Sequence, residues 1–145
     1  MKPAGNTLTK EQARAIVAPL YDALNEPTKK DVSALLAQAT NPDYRSCSTL
    51  TDCLDREALA KVFNALGKMV PNLSWKIHDL WVTENRIVVL GEASGMPVET
   101  FFGLEPTGRT FTTISLDIFT VKNGKLSSAY HVENWAGAIA QVRGE

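Results

Sequence analysis

The hydrophobic pattern of this chain changes its period once, at Pro71 and Asn72. On the N-terminal side, apolar residues recur every three to four positions, which is typical of amphipathic helices. On the C-terminal side they alternate with polar residues, which is typical of strands with one buried face. Helices followed by a run of strands predict an α+β fold. We expect a cone-shaped barrel in which a curved antiparallel or mixed sheet wraps around the N-terminal helices and leaves a cavity between the layers.

Three helices are predicted before the change of period. Thr9 and Gln12 form a capping box at the start of the first helix, and Pro19 predicts a kink or a break inside it. Asp55 is a good N-cap for the third. The polar segment 40–52 is predicted to be a loop. The predicted helices are Thr9–Leu24, Lys29–Ala39 and Asp55–Val70.

Five strands and a short closing helix are predicted after the change of period. Turn residues, such as Asn123-Gly124, separate the alternating segments. Asn134 is the expected cap of the closing helix, Ala136–Val142. The predicted strands are Leu73–Val82, Arg86–Ser94, Val98–Leu104, Phe111–Val121 and Leu126–Trp135.

Size and charge restrict the partners of the chain. A chain of 145 residues is expected to form one domain, residues 1–145. The formal net charge of -1 indicates no basic face for nucleic acid, and no apolar run approaches the ~18 residues of a membrane span. The N-terminal segment MKPAGNTLTKEQ lacks the apolar region of a signal peptide. We therefore expect no nucleic-acid partner and no membrane partner.

The two cysteines, Cys47 and Cys53, lie in a loop rich in Ser, Thr and Asp. They form either a small disulfide ring or two free thiols. Two thiols without nearby histidines do not complete a zinc site, so we expect no metal there. The expected cellular location depends on which alternative holds. It is cytoplasmic, or it is periplasmic or secreted if a signal was removed and the disulfide forms.

Asp117 stands in the middle of an otherwise apolar strand and is the strongest catalytic candidate. A buried carboxylate is costly unless it is paired, hydrogen-bonded or protonated, and such groups are where acid–base chemistry concentrates. Its face of the strand carries Ser115 and Phe119, a mixed lining that suits a small organic ligand. The alternative interpretation is that this face is exposed, because the opposite face is the more apolar one.

His131, on the following strand, is the second catalytic candidate. A two-residue turn at Asn123-Gly124 places Asp117 opposite Tyr130. A three-residue loop with a glycine bulge places Asp117 opposite Ala129, with His131 as a diagonal neighbour on the same face. We favour the bulged loop. A hydrogen-bonded structural histidine is the alternative interpretation.

Other candidates are assigned to substrate binding. Tyr44, together with Arg45, is expected near the mouth of a pocket, and Trp135 in the core or the pocket wall. Glu92 is expected either as a second pocket carboxylate or on the surface. His78 is expected to face solvent. The sequence contains no phosphate-binding glycine loop, no HExxH, no GxSxG and no dinucleotide fingerprint, so a reaction without a cofactor or simple ligand binding remains.

Two long segments resemble SnoaL-like polyketide cyclases and the related predicted ester cyclases of the nuclear transport factor 2-like superfamily. One is FFGLEPTGRTF followed by SLDIFTVKNGKLSSAYHVENW, and the other is DREALAKVFNALGKMVPNLSWKIHDLWVTENRIVVLGEASG. The resemblance covers roughly residues 8–143. Pro-Thr-Gly-Arg, Asp-Ile-Phe, Asn-Gly-Lys and the final His and Trp occur in the same order and spacing. The resemblance implies a SnoaL-like α+β barrel that forms a homodimer through its open sheet face.

The resemblance also implies an activity. Cyclases of this family close a ring by an intramolecular aldol reaction on a polyketide ester, without metal or cofactor, and an aspartate that matches Asp117 acts as general acid–base. Such cyclases often carry a histidine before the Pro-Thr-Gly turn, where this chain has residues 95–98, Gly-Met-Pro-Val. The fold also hosts ketosteroid isomerases and non-catalytic binders. A scaffold or a binder of small hydrophobic ligands, and isomerase-like proton transfer, therefore stay open as alternatives.

Overall fold

The computed structural model describes residues 8–145, and these contain four α-helices and six strands. Residues 1–7, where we predict no signal segment, lie outside the described residues. Within residues 8–145, no helix combines the length and apolarity needed to cross a membrane. The helices are α1 (Lys10–Ala23), α2 (Val32–Ala39), α3 (Arg56–Met69) and α4 (Trp135–Arg143), with a 3₁₀ turn at Pro27–Lys29. The strands are β1 (Thr40–Cys47), β2 (Cys53–Asp55), β3 (Ser74–Thr83), β4 (Arg86–Gly95), β5 (Phe111–Lys122) and β6 (Lys125–Glu133).

The strands form one mixed sheet in the order β2-β1-β6-β5-β4-β3. The β1 and β6 strands are parallel, and all other neighbours are antiparallel. The sheet is curved and does not close, and it carries the helices against its concave face, which confirms the α+β cone. On β5, the residues that share a face with Asp117 are buried, whereas Ile114 and Ile118 on the other face are exposed. The more polar face is therefore the inner one, because it lines the space under the helices.

Local capping residues begin the helices where the sequence predicts. Thr9 and Gln12 form the reciprocal capping box of α1. The side chain of Asp55 accepts the backbone N–H of the third residue of α3 at 2.8 Å, and Asn134 caps α4 in the same way at 3.0 Å. Each cap satisfies a backbone donor that the first helical turn leaves free.

The helix α1 continues through Pro19 without a break. Proline removes one helical hydrogen bond and costs about 3 kcal/mol in a helix interior. Val17, Leu20 and Tyr21, which flank it, are buried, so packing against the core offsets this cost. Of the two alternatives predicted at Pro19, a kink or a break, the break is therefore wrong.

The prediction of a loop over residues 40–52 was wrong for residues 40–47 and is confirmed for residues 48–52, which connect two strands. Residues Thr40–Cys47 form β1, which pairs with β6, and Cys53–Asp55 form β2 at the sheet edge. The buried positions of β1 include the polar residues Thr40 and Ser46, so hydrophobic alternation does not reveal the strand. Cys47 and Cys53 lie opposite each other on the two strands and form a disulfide, the first of the two alternatives.

The predicted strand Val98–Leu104 forms only an isolated bridge between Phe101 and Leu104. A two-residue turn joins them, with φ of 49° at Phe102 and 80° at Gly103. Phe101 is fully buried and stacks on Phe111 at a centroid distance of 5.2 Å. The apolar residues that suggested a strand therefore pack into an aromatic cluster and do not pair with the sheet.

Candidate active site

A cavity of about 430 Å³ lies between the helices and the concave face of the sheet. Aliphatic side chains of α1 and α3 form one wall, and the strands β1, β5 and β6 supply most of the polar groups. No lysine or arginine is among its lining residues in the described chain. Its acidic and basic groups are Asp117, His131 and Glu133, and its aromatic ones are Tyr44, Phe63, Trp75, Phe102, Phe119 and Trp135. Such a lining suits a small apolar molecule with few polar groups.

Asp117 lies on the inner face of β5 and is buried, as the pocket interpretation requires. The hydroxyl of Tyr21, on α1, donates a short hydrogen bond to Oδ2 of Asp117. Burial raises the pKa of Asp117 to about 6, the Tyr21 hydrogen bond opposes this, and Glu133 adds to it. Burial, followed by the neighbouring charge of Asp117, raises the pKa of Tyr21 well above its usual value, so the phenol keeps its proton.

His131 lies directly opposite Asp117 across the β5–β6 pair. The turn contains two residues, Asn123 and Gly124, both at positive φ, and a bulge follows in β6 where the register shifts between Thr120 and Val121. Both predicted registers were wrong, because the two-residue turn and a bulge occur together. The combination brings the imidazole beside the carboxylate on the inner face.

Glu133 holds one side of the His131 ring. The Nδ1 atom of His131 lies 2.8 Å from Oε2 of Glu133, and the indole Nε1 of Trp135 donates to Oε1 of Glu133 at 3.2 Å. The hydrogen bond to Glu133 raises the pKa of His131, burial opposes it, and the charges of Glu133 and Asp117 add to the increase. The hydrogen bond to Glu133 and the two neighbouring carboxylates therefore favour the imidazolium form of His131.

The sequence alone did not assign a role to Tyr21 or Glu133. Glu133 had a detectable signal, because it shares the two-residue alternation of His131 and Trp135 and so belongs to the same face of β6. Tyr21 had none beyond its place on the apolar stripe of α1, since 96 residues separate it from Asp117.

Most of the other predicted binding residues lie at the cavity. Tyr44, Phe119 and Trp135 line it, and burial raises the pKa of Tyr44. Ser115 is buried on the same face of β5 but accepts a hydrogen bond from Nε1 of Trp75 at 2.9 Å and is not among the lining residues. Arg45, expected near the mouth, is exposed on β1 and donates to the backbone oxygen of Tyr44 at 3.0 Å.

Glu92 does not reach this cavity. It lies on the outer face of β4, where Oε2 is 3.6 Å from Nε2 of His78. The hypothesis of a second pocket carboxylate at Glu92 was wrong because the strand alternation points this residue away from Asp117. The expectation that His78 faces outward is confirmed, since its side chain is 55% exposed.

The ionisable cluster is already hydrogen-bonded. Candidate ligating atoms of Asp117, His131 and Glu133 lie within 4.8 Å of one another, a spacing compatible with a bound ion. Tyr21, however, donates to Asp117, and Trp135 donates to Glu133, which in turn holds His131. We therefore interpret the cluster as a proton-transfer network and assign no metal ligand in it.

Solved structures share this fold at low sequence identity. TsrD from Streptomyces laurentii has a TM-score of 0.80 and 22% identity, with 93% of this chain and 97% of TsrD covered. A provisionally assigned SnoaL-like polyketide cyclase from Jannaschia Sp. CCS1 has a TM-score of 0.81 and 15% identity, covering 100% of this chain and 99% of that one. IdmH from Streptomyces antibioticus, provisionally assigned as a polyketide cyclase, has a TM-score of 0.78 and 23% identity, covering 91% and 99%. At these identities the likeness shows the fold.

The sequence also matches a family model. The model for SnoaL-like polyketide cyclases matches residues 16–142, which include Tyr21, Asp117, His131 and Glu133. No functionally curated protein matches the chain. Because the model spans most of the sequence, this chain belongs to the SnoaL-like polyketide cyclase family.

Proposed function

We propose that the protein is a cofactor-independent cyclase that closes a ring by an intramolecular aldol reaction on a small polyketide or a related ester. The observation that carries the proposal is the buried Asp117, whose pKa of about 6 leaves it ionised at neutral pH yet far more basic than an ordinary aspartate. Family membership supports a cyclase-type role, and the apolar cavity supports a hydrophobic substrate.

Asp117 is the base in this proposal. Its carboxylate removes a proton alpha to a substrate carbonyl, and conjugation in the substrate spreads the negative charge of the enolate. The enolate carbon then attacks a second carbonyl, so that a C–C bond forms as the C=O π bond breaks. His131 assists at the alkoxide oxygen that results. The surrounding apolar wall excludes water and keeps the carboxylate basic.

Ring closure by this route produces an isomer of the substrate. We expect the protein to convert an aromatic methyl ester with an enolisable diketone side chain into a product of unchanged mass and a new retention time, measured by liquid chromatography with mass detection. In D₂O, the alpha position exchanges its proton when Asp117 acts as a base.

Two results would overturn the proposal. One is binding of the ester in the cavity with neither isomer formation nor alpha-proton exchange, which favours a ligand-binding scaffold. The other is double-bond migration in a β,γ-unsaturated ketone, followed by ultraviolet absorbance, together with inactivity on the ester. That result favours isomerase-like proton transfer.

We also propose that the outer face of the sheet joins two copies of this chain. Large apolar side chains are exposed there on neighbouring strands, including Ile114 at 55%, Tyr130 at 47% and Val132 at 60%. Exposed apolar patches of this kind mark interaction sites, and a two-fold axis lets the same patch cover itself. The family resemblance implies the same homodimer.

We expect light scattering to give a mass twice the chain mass of 15.8 kDa. Ile114→Lys should halve that mass, because it places a charge in the apolar contact. Leu50→Lys is the matched control, since Leu50 is 85% exposed on the β1–β2 connection and belongs to no strand of the sheet. A monomeric wild-type protein, or an Ile114→Lys variant of unchanged mass, contradicts this interface.

A further inference from the structure

The two nitrogens of His131 are in different situations. Glu133 occupies Nδ1 at 2.8 Å, and Trp135 anchors the other oxygen of that carboxylate. The structure gives Nε2 no hydrogen-bond partner within residues 8–145. The side chain of Glu133 is only 10% exposed and that of His131 is 27% exposed, so the pair lies in the cavity. The Nε2–H of a protonated ring is therefore available to donate a hydrogen bond to a ligand.

We propose that Glu133 is a positioning residue that holds His131 as a proton donor to the substrate oxygen, so that Asp117 and His131 divide the two proton transfers of the reaction. This inference rests on the proposed ring closure and adds a separate acid to it.

The charges around His131 support the protonated form. Asp117 faces it from β5 and Glu133 from β6, while Tyr21 of α1 reaches it only through the hydrogen bond to Asp117. From β1 the cavity receives the phenol of Tyr44 and the hydroxyl of Ser46, and Ser48 lines it from the segment that follows β1. The lining residues of α3 are all apolar. No cationic side chain is among these neighbours, so both nearby charges favour imidazolium, and the pKa of His131 is raised accordingly.

The proton balance closes within this pair. The carboxylate of Asp117 takes the proton from the alpha carbon and becomes neutral. The imidazolium of His131 gives its Nε2 proton to the alkoxide, which becomes a hydroxyl group, and the ring becomes neutral. Transfer of the proton from Asp117 to His131 then restores the starting state, with no net uptake or release. The two groups lie close enough for this return step to pass through one water or the product hydroxyl.

The test uses the fact that the chain has only two histidines. We expect the imidazole signals in a nuclear magnetic resonance titration to show His131 titrating above its ordinary range. In Glu133→Gln the pKa of His131 should fall below its wild-type value, because the neutral amide removes the paired charge. In Glu133→Asp, which keeps the charge, the pKa should stay above that of Glu133→Gln.

The second histidine supplies the matched control. Glu92→Gln removes the carboxylate beside His78 on the outer face and should leave His131 unchanged. With the ester probe, Glu133→Gln should move the alkaline limb of the kcat/KM profile, which His131 sets, to lower pH. The acidic limb, which Asp117 sets, should not move to higher pH, because the charge of Glu133 adds to the raised pKa of Asp117. Equal titration of His131 in wild type and Glu133→Gln, or an unmoved alkaline limb, overturns the role of Glu133. The titration needs no substrate, so its result can be told apart from a failure of the cyclase proposal. That failure would appear as absent turnover of the ester by the wild type.

Discussion

Asp117→Asn should reduce turnover of the ester probe by about a thousandfold at neutral pH, since positioned general bases typically contribute between a hundredfold and ten-thousandfold. The amide has the shape of the carboxylate, and its oxygen still accepts the hydrogen bond from Tyr21. It cannot accept a proton from carbon. The variant should therefore bind the probe with nearly unchanged affinity while kcat falls.

The measurement is steady-state turnover of the ester together with alpha-proton exchange in D₂O. Glu92→Gln makes the same chemical change on the neighbouring strand, outside the cavity, and should keep full activity. In the wild type, kcat/KM should fall below about pH 6, where Asp117 becomes protonated. Activity of Asp117→Asn within tenfold of wild type would show that another group is the base.

Asp117→Asn should also stabilise the protein at alkaline pH. The native-state pKa of Asp117, about 6, exceeds the ordinary value of 3.8, because the ionised carboxylate is buried. A group with a raised carboxyl pKa binds a proton more tightly in the native than in the unfolded state, so its contribution to stability falls as the pH rises between these two values. At about 1.4 kcal/mol for each pKa unit, Asp117→Asn should raise the free energy of unfolding by about 2–3 kcal/mol near pH 8.

Urea unfolding at several pH values checks this expectation. The difference between Asp117→Asn and wild type should shrink to less than about 1 kcal/mol near pH 4, where the native aspartic acid is already neutral. Glu92→Gln should show no comparable gain at pH 8, because Glu92 is partly exposed to water. A variant that is less stable than wild type at pH 8 would mean that the Tyr21 bond to ionised Asp117 outweighs the cost of burial.

Together the two results would describe an exchange of stability for activity at one residue. Keeping a carboxylate in an apolar cavity destabilises the native state and makes that carboxylate a stronger base, and both effects have the same cause. A purely structural aspartate on β5 should instead show little change in activity and a loss of stability when replaced.

The helix caps and most of the strands could be predicted because they depend on residues close in sequence. Thr9 and Gln12 are three positions apart, and the alternation along β5 is a property of neighbouring residues. Predictions failed where packing outweighs a local preference, as at Pro19. They also failed where the residues of a strand are mostly polar, as in β1, because this segment becomes a strand only by pairing with the distant strand β6.

The sequence by itself determined the order of helices and strands, the family, and the presence of Asp117, His131 and Glu133 on two consecutive strands. Only the tertiary structure decided which atoms meet. The hydrogen bond from Tyr21 depends on how α1 packs under the sheet, and the pairing of Asp117 with His131 depends on a bulge that shifts the register by one residue. Side-chain alternation is a local property of a strand, whereas contacts between distant residues follow from the packing of the whole core, which no short pattern contains.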